Sequence, residues 1–147
     1  MEALIWLRDY MAEIALNAGR NDTSCQLFNH TWAQSSVICR IEGAAATTPT
    51  NVWRNHNATD CSTRFYLAVG RQRTRAGQGE LANEVVIVGA HADSINSLSP
   101  ANGRAPGADD DGTGVAGFVE IFRAIVNSGF RPQRSIEFMG YAAEEGN

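Results

Sequence analysis

Two strand-like runs, "EVVIVGA" at residues 84–90 and "RSIEFMGYAA" at 134–143, flank a segment with helical spacing, and this alternation constrains the chain more than any other feature in it. Between the runs Val115, Phe118, Val119, Phe122 and Ile125 or Val126 recur three or four apart, which draws one apolar stripe along a helix ending near Gly129. Strand, helix and strand joined at this length make a βαβ unit, whose crossover is right-handed. The unbroken apolar run at 84–90 suits a parallel strand buried on both faces. The expected class is therefore α/β with a largely parallel sheet.

The preceding chain adds elements to this unit. Leu4, Leu7, Met11, Ile14 and Ala18 form one apolar face of a helix over residues 1–18, with Gly19 placed to end it and a sheet to cover. "SSVICRIEG" alternates with period two and reads as a strand. Residues 43–83 carry little order: "AAATTPTN" resembles a loop, "RFYLAV" a short strand, and "GRQRTRAGQG" a Gly- and Arg-rich turn region. Such a length inside a compact domain reads as an irregular insertion, a functional flap or a disordered segment. At 147 residues the whole chain fits one domain with a real core.

Composition removes several chemistries. All twelve basic residues are arginine, so a P-loop lysine, a Schiff-base lysine and a Ser-Lys pair are excluded. A net charge of −4 gives no footprint for a phosphate backbone, and no apolar run reaches membrane-spanning length, so neither nucleic acid nor membrane is an expected partner. The first residues lack a signal peptide's basic-then-apolar pattern. Cys25, Cys39 and Cys61 show no Cys-x-x-Cys spacing. Cys39 alternates with Val37 and Ile41 as a core-facing strand residue, leaving Cys25 and Cys61 as the pair for a bridge in an oxidising compartment, with free thiols an equal alternative. Three Asn-x-Thr triplets, at Asn21, Asn29 and Asn57, lean toward a secretory setting. His30 and His56 read as surface or loop residues.

The polar residues with chemistry fall at one place. Ligands of open parallel sheets bind outside the carboxyl ends of the strands. His91 and Asp93 follow the first strand, Asp109, Asp110 and Asp111 start the crossover helix, and Glu144 and Glu145 follow the second strand. Imidazole and carboxylate are the non-thiolate ligands of zinc, and divalent cations offset the repulsion among crowded carboxylates. On spacing, His91 is a ligand and Asp93 accepts the ring's second N–H through its carboxylate. Asp110 can offer one oxygen to each of two ions, while Asp109 and Asp111 serve the loop and the helix N-cap. Of the adjacent glutamates, one is aimed at the metal and the other is left to take a proton from water. An EF-hand lacks its alternating ligands here, and "VVIVGAHAD" lacks the Gly-x-Gly-x-x-Gly turn of a dinucleotide fold.

"VIVGAHADS", "APGADDDGTG" and "SIEFMGYAAEEG" resemble, in order and spacing, the zinc aminopeptidases of the M28 family, of the bacterial leucyl aminopeptidase type. The intervals, 19 residues from His91 to Asp110 and 34 from Asp110 to Glu144, carry the resemblance, which is strong from Glu84 to Gly146. It implies a three-layer zinc-exopeptidase sandwich in which His91, Asp110 and Glu145 bind one zinc and Asp110 bridges to a second. It also implies that Glu144 is the general base, assisted by Asp93, on peptides with a free N-terminus, and that the protein works outside the cytoplasm.

In that family the second zinc takes a further aspartate and histidine from well downstream of the glutamate pair, whereas this chain stops at Asn147. The expectation is a truncated domain over 1–147, with one full ligand set and little peptidase activity by itself. A non-catalytic binding domain of the same fold and a single-zinc glutaminyl cyclase are the alternatives.

Overall fold

The computed structural model describes residues 2–44, 84–100 and 102–146. The loop, short strand and arginine cluster expected within 45–83, together with His56, Asn57 and Cys61, lie outside the described residues. The elements are α1 (Glu2–Asn17), β1 (Thr23–Phe28), β2 (Ser36–Ile41), β3 (Val85–His91), α2 (Gly112–Asn127) and β4 (Ser135–Tyr141).

The four strands form one sheet in the order β1-β2-β4-β3. Only β3 and β4 are parallel, and β2 runs antiparallel to both β1 and β4. The sheet of the described residues is therefore mixed rather than largely parallel. One βαβ unit supplies one parallel pair, and the hairpin of β1 and β2 brings β2 against β4 in the opposite sense. β1 has no clear period in sequence: its residues "TSCQLF" are mostly half-buried, and tertiary pairing decides their conformation.

Both helices cover one face of this sheet. Leu4, Leu7, Met11 and Ile14 of α1 and Phe118, Val119, Phe122 and Val126 of α2 meet Val37, Cys39, Ile41 and Phe138 in a single core cluster. Register explains the strand side, since Val37, Cys39 and Ile41 pair with Gly140, Phe138 and Ile136, and alternate residues share a face. Phe122 and Phe138 meet edge to face, 5.2 Å between centroids, and both are fully buried. The described residues thus make two layers, and a second helical layer is not among them. Among the described residues β3 is one of the two edge strands, with Val85, Val86 and Ile87 each more than one third exposed, which corrects the expectation of burial on both faces.

Loop chemistry closes the elements. Gly19 ends α1 with φ of +65°, a conformation that costs glycine no Cβ clash. Arg20 then grips Asp22 through two hydrogen bonds and donates to the carbonyls of Val126 and Phe130, tying the end of α1 to the end of α2. Cys25 and Cys39, directly opposite in the β1–β2 register, form the disulfide, so Cys25 does not pair with Cys61. No helix among the described residues is long and apolar enough to cross a membrane.

Candidate metal centre

Parallel pairing puts the carboxyl ends of β3 and β4 at one edge, with His91 opposite Tyr141 as the last pair. One more bond, from Ala92 N–H to Tyr141 O at 2.7 Å, extends the pairing before the chains part. Ala143 then adopts φ of 63°, turning the chain so that the next two amides face β3. Asp93 receives them: Oδ1 accepts the N–H of Glu144 at 3.2 Å and Oδ2 that of Glu145 at 3.0 Å. From the other side, the buried Ser36 hydroxyl accepts the N–H of Ala142 at 3.1 Å.

The aspartate triplet is arranged by its glycines. Asp111 caps α2, its Oδ1 accepting the N–H of Gly114 at 3.0 Å. A Cβ on Gly114 would lie 2.3 Å from that carboxylate, so a larger residue there would push the Asp111 carboxylate from this cap position. The N–H of Gly112 bonds to Gly107 O at 3.0 Å, and the Thr113 hydroxyl donates to Asp109 O at 2.8 Å. The Asp110–Asp111 peptide bond is cis. Asp109 and Asp111 thus serve the loop and helix start, while the exposed Asp110 side chain reaches back to His91.

The His91 ring is held at both nitrogens. Nδ1 lies 3.2 Å from the main-chain oxygen of Asp93 and 3.6 Å from its Oδ1. The second ring N–H therefore goes to the Asp93 carbonyl rather than to its carboxylate, because the two glutamate amides already occupy that group. Nε2 lies 3.0 Å from Asp110 Oδ1 and 3.9 Å from Glu144 Oε2. With the Nδ1 proton directed at a carbonyl, Nε2 and Asp110 would face each other as two acceptors unless a proton or a cation stands between them. Burial, the largest influence on His91, disfavours its charged form. The Asp110 and Asp93 hydrogen bonds and the charges of Glu144 and Asp111 outweigh it, and the imidazole pKa is raised.

His91, Asp110 and Glu145 each offer a donor atom, all within 4.8 Å of one another. Tetrahedral coordination with bonds of ~2.0–2.1 Å sets neighbouring donors about 3.3 Å apart, within reach of small side-chain rotations. One imidazole and two carboxylates, with the imidazole's far nitrogen on a carbonyl, fit a divalent cation of the zinc type. Glu144 stays outside this triad with its side chain largely exposed.

Two residues near this edge play parts that sequence reading does not assign. Ser36 bridges β2 to the turn after β4, signalled only by a polar residue at the start of a wholly buried strand. His30, read as a surface or loop residue, is half-buried, lies 2.8 Å from Ser36 Oγ through Nε2 and stacks on Trp32 at 4.2 Å. Burial lowers its pKa.

This edge defines an α/β domain that gathers an imidazole and two carboxylates where parallel strands end. A model of peptidase family M28 matches residues 72–147, just over half of the chain, and the chain belongs to that family. It is 34% identical to leucine aminopeptidase 1 of Fusarium vanettenii, the match spanning 99% of this chain and 29% of the relative. For leucine aminopeptidase 1 of Trichoderma harzianum the identity is 33%, over 96% of this chain and 27% of the relative. Among solved structures, LapB from Legionella pneumophila superposes with a TM-score of 0.63 at 26% identity, covering 99% of this chain and 29% of that one. The LapA aminopeptidase of the same organism gives 0.63 at 27%, covering 98% and 27%. The chain thus spans less than a third of the length of these relatives.

Proposed function

We propose that this chain forms part of a zinc-dependent aminopeptidase that removes N-terminal residues from peptides. The observation that carries the reading is the His91, Asp110 and Glu145 donor cluster at the carboxyl edge of β3 and β4. Family membership and the leucine aminopeptidase relatives support the same reaction class. His91, Asp110 and Glu145 would hold one ion, and the second oxygen of Asp110 would be available to another.

Zinc bound there would supply Lewis acidity toward a peptide carbonyl and a bound water. Glu144, exposed and beside the cluster, takes a proton from the attacking water and returns it to the departing amine. Asp93 acts on the reaction through other groups: its carbonyl fixes the His91 ring and its carboxylate fixes the main chain of Glu144 and Glu145.

By the family resemblance, an aspartate and a histidine from a later part of the polypeptide would complete a second ion site, and the 147 residues alone would turn over poorly. That longer protein is a three-layer sandwich, its sheet continued beyond the exposed edge of β3. The Cys25–Cys39 bridge supports residence in an oxidising compartment. Hydrolysis of aminoacyl nitroanilides by the full-length protein, with and without a chelator, tests the reading. Chelator-sensitive release is expected, and a full-length protein with no such turnover contradicts it.

A further inference from the structure

The metal centre leaves the Asn-x-Thr triplets unused, and the fold treats them differently. Asn57 lies outside the described residues. Asn29 stands exposed at the end of β1, where the chain turns toward β2, and Thr31 is exposed two residues on. The Ser35 hydroxyl donates to Asn29 Oδ1 at 2.8 Å. That bond fixes the amide by its oxygen and leaves Nδ2, the atom that carries a glycan, without a hydrogen-bond partner among the described residues. Asn21 is also exposed, but it sits between Arg20 and Asp22, whose ion pair is joined by Arg131. Thr23 of that triplet is already in β1, paired with Ile41.

We propose that Asn29 is an N-glycosylation site. The donor class is an oligosaccharide linked to a lipid pyrophosphate, transferred in the secretory pathway. Asn29 Nδ2 attacks the anomeric carbon of the first sugar and forms the N-glycosidic bond. The bond from that carbon to the pyrophosphate oxygen breaks, the lipid pyrophosphate leaves with the electron pair, and one amide proton passes to a base of the transferase. The modification needs the oxidising compartment in which the Cys25–Cys39 bridge forms, so it rests on the secretory reading and not on the metal centre.

The resulting glycan stands on the β1–β2 connection, which adjoins the site. Ser36, at the far end of that connection, binds the N–H of Ala142, two residues before Glu144. The sugar is therefore carried by the connection whose far end is bonded to the turn bearing the glutamates.

One peptide reports on both premises. Trypsin cuts after Arg20 and Arg40, and the fragment between them holds Asn21, Asn29, Cys25 and Cys39. The full-length protein is secreted from a yeast host and digested without reduction. Peptide N-glycanase in heavy-oxygen water then marks each formerly glycosylated asparagine as a labelled aspartate. A bridged peptide labelled at Asn29 is expected, with the carbohydrate at this peptide lost in Asn29→Gln and retained in Asn21→Gln. A bridged peptide unlabelled at Asn29, or labelled only at Asn21, overturns the assignment. Reduced cysteines in the secreted protein overturn the secretory premise and the proposal with it.

Discussion

Asp93 Oδ2 accepts the main-chain N–H of Glu145 at 3.0 Å across the gap between the ends of β3 and β4, while Oδ1 takes the neighbouring amide of Glu144. The Asp93 side chain is only 10% exposed, and its bond to Glu145 is the more shielded of the two. The turn bearing both glutamates is thus held before any ligand arrives.

Removing that hold is expected to loosen the turn. In Asp93→Ala the amides of Glu144 and Glu145 lose protection against hydrogen exchange, and zinc affinity falls by about 10–100-fold, the usual range for a partner behind a metal ligand. Asp93→Asn keeps one acceptor oxygen and is expected to lie between. Exchange read by NMR and zinc titration by calorimetry check both, and unchanged exchange at Glu144 and Glu145 in the alanine variant contradicts the clamp.

The aspartate triplet divides by role. Asp110→Ala is expected to weaken zinc binding strongly, because its Oδ1 faces His91 Nε2 at 3.0 Å. Asp109→Ala is expected to leave binding nearly unchanged, since among the described residues only the main-chain oxygen of Asp109 is engaged, by Thr113. Equal losses in a competition titration against a chromophoric chelator mean that the division is wrong.

Acid stability has an identifiable source at Asp22. Its hydrogen bonds to Arg20 are the strongest influence and, with the charges of Arg20 and Arg131, outweigh burial to hold the carboxyl below its ordinary 3.8. A depressed carboxyl stabilises the fold above its unfolded pKa, and that stability drains as pH falls through the folded value. The urea midpoint is expected to drop steeply below about pH 4 in the native protein and less steeply in Asp22→Asn. Parallel profiles refute this source.

The core rests on the Phe122–Phe138 contact. Phe122→Ala removes a fully buried ring that α2 contributes above the sheet, with an expected loss of ~3–5 kcal/mol in urea unfolding. A loss under about 1 kcal/mol means that α2 is not packed as described.

Local pattern carries α1, α2, β2 and β4, because Leu4, Leu7, Met11 and Ile14, the Val115–Val126 stripe and the alternation of Val37, Cys39 and Ile41 all record which face is buried. Strand order leaves no such record. "VVIVGAH" has the composition of a central strand yet lies at the edge of the described sheet, and nothing local to Cys25 shows that Cys39 will stand opposite it. At the site, chain order places His91, Asp110, Glu144 and Glu145 at one edge. The atoms that meet there depend on the Ala143 turn and the Gly107–Gly114 loop, and at His91 Nδ1 the partner is the carbonyl of Asp93 rather than its carboxylate.

The central claim is that these side chains form a cation site. Equilibrium dialysis of the folded 147-residue chain against zinc tests it most directly: retention of at least one ion per chain is expected, abolished in His91→Ala and in Glu145→Gln while the fold persists by circular dichroism. A folded chain that retains no zinc, or variants that retain as much as the parent, contradicts the account.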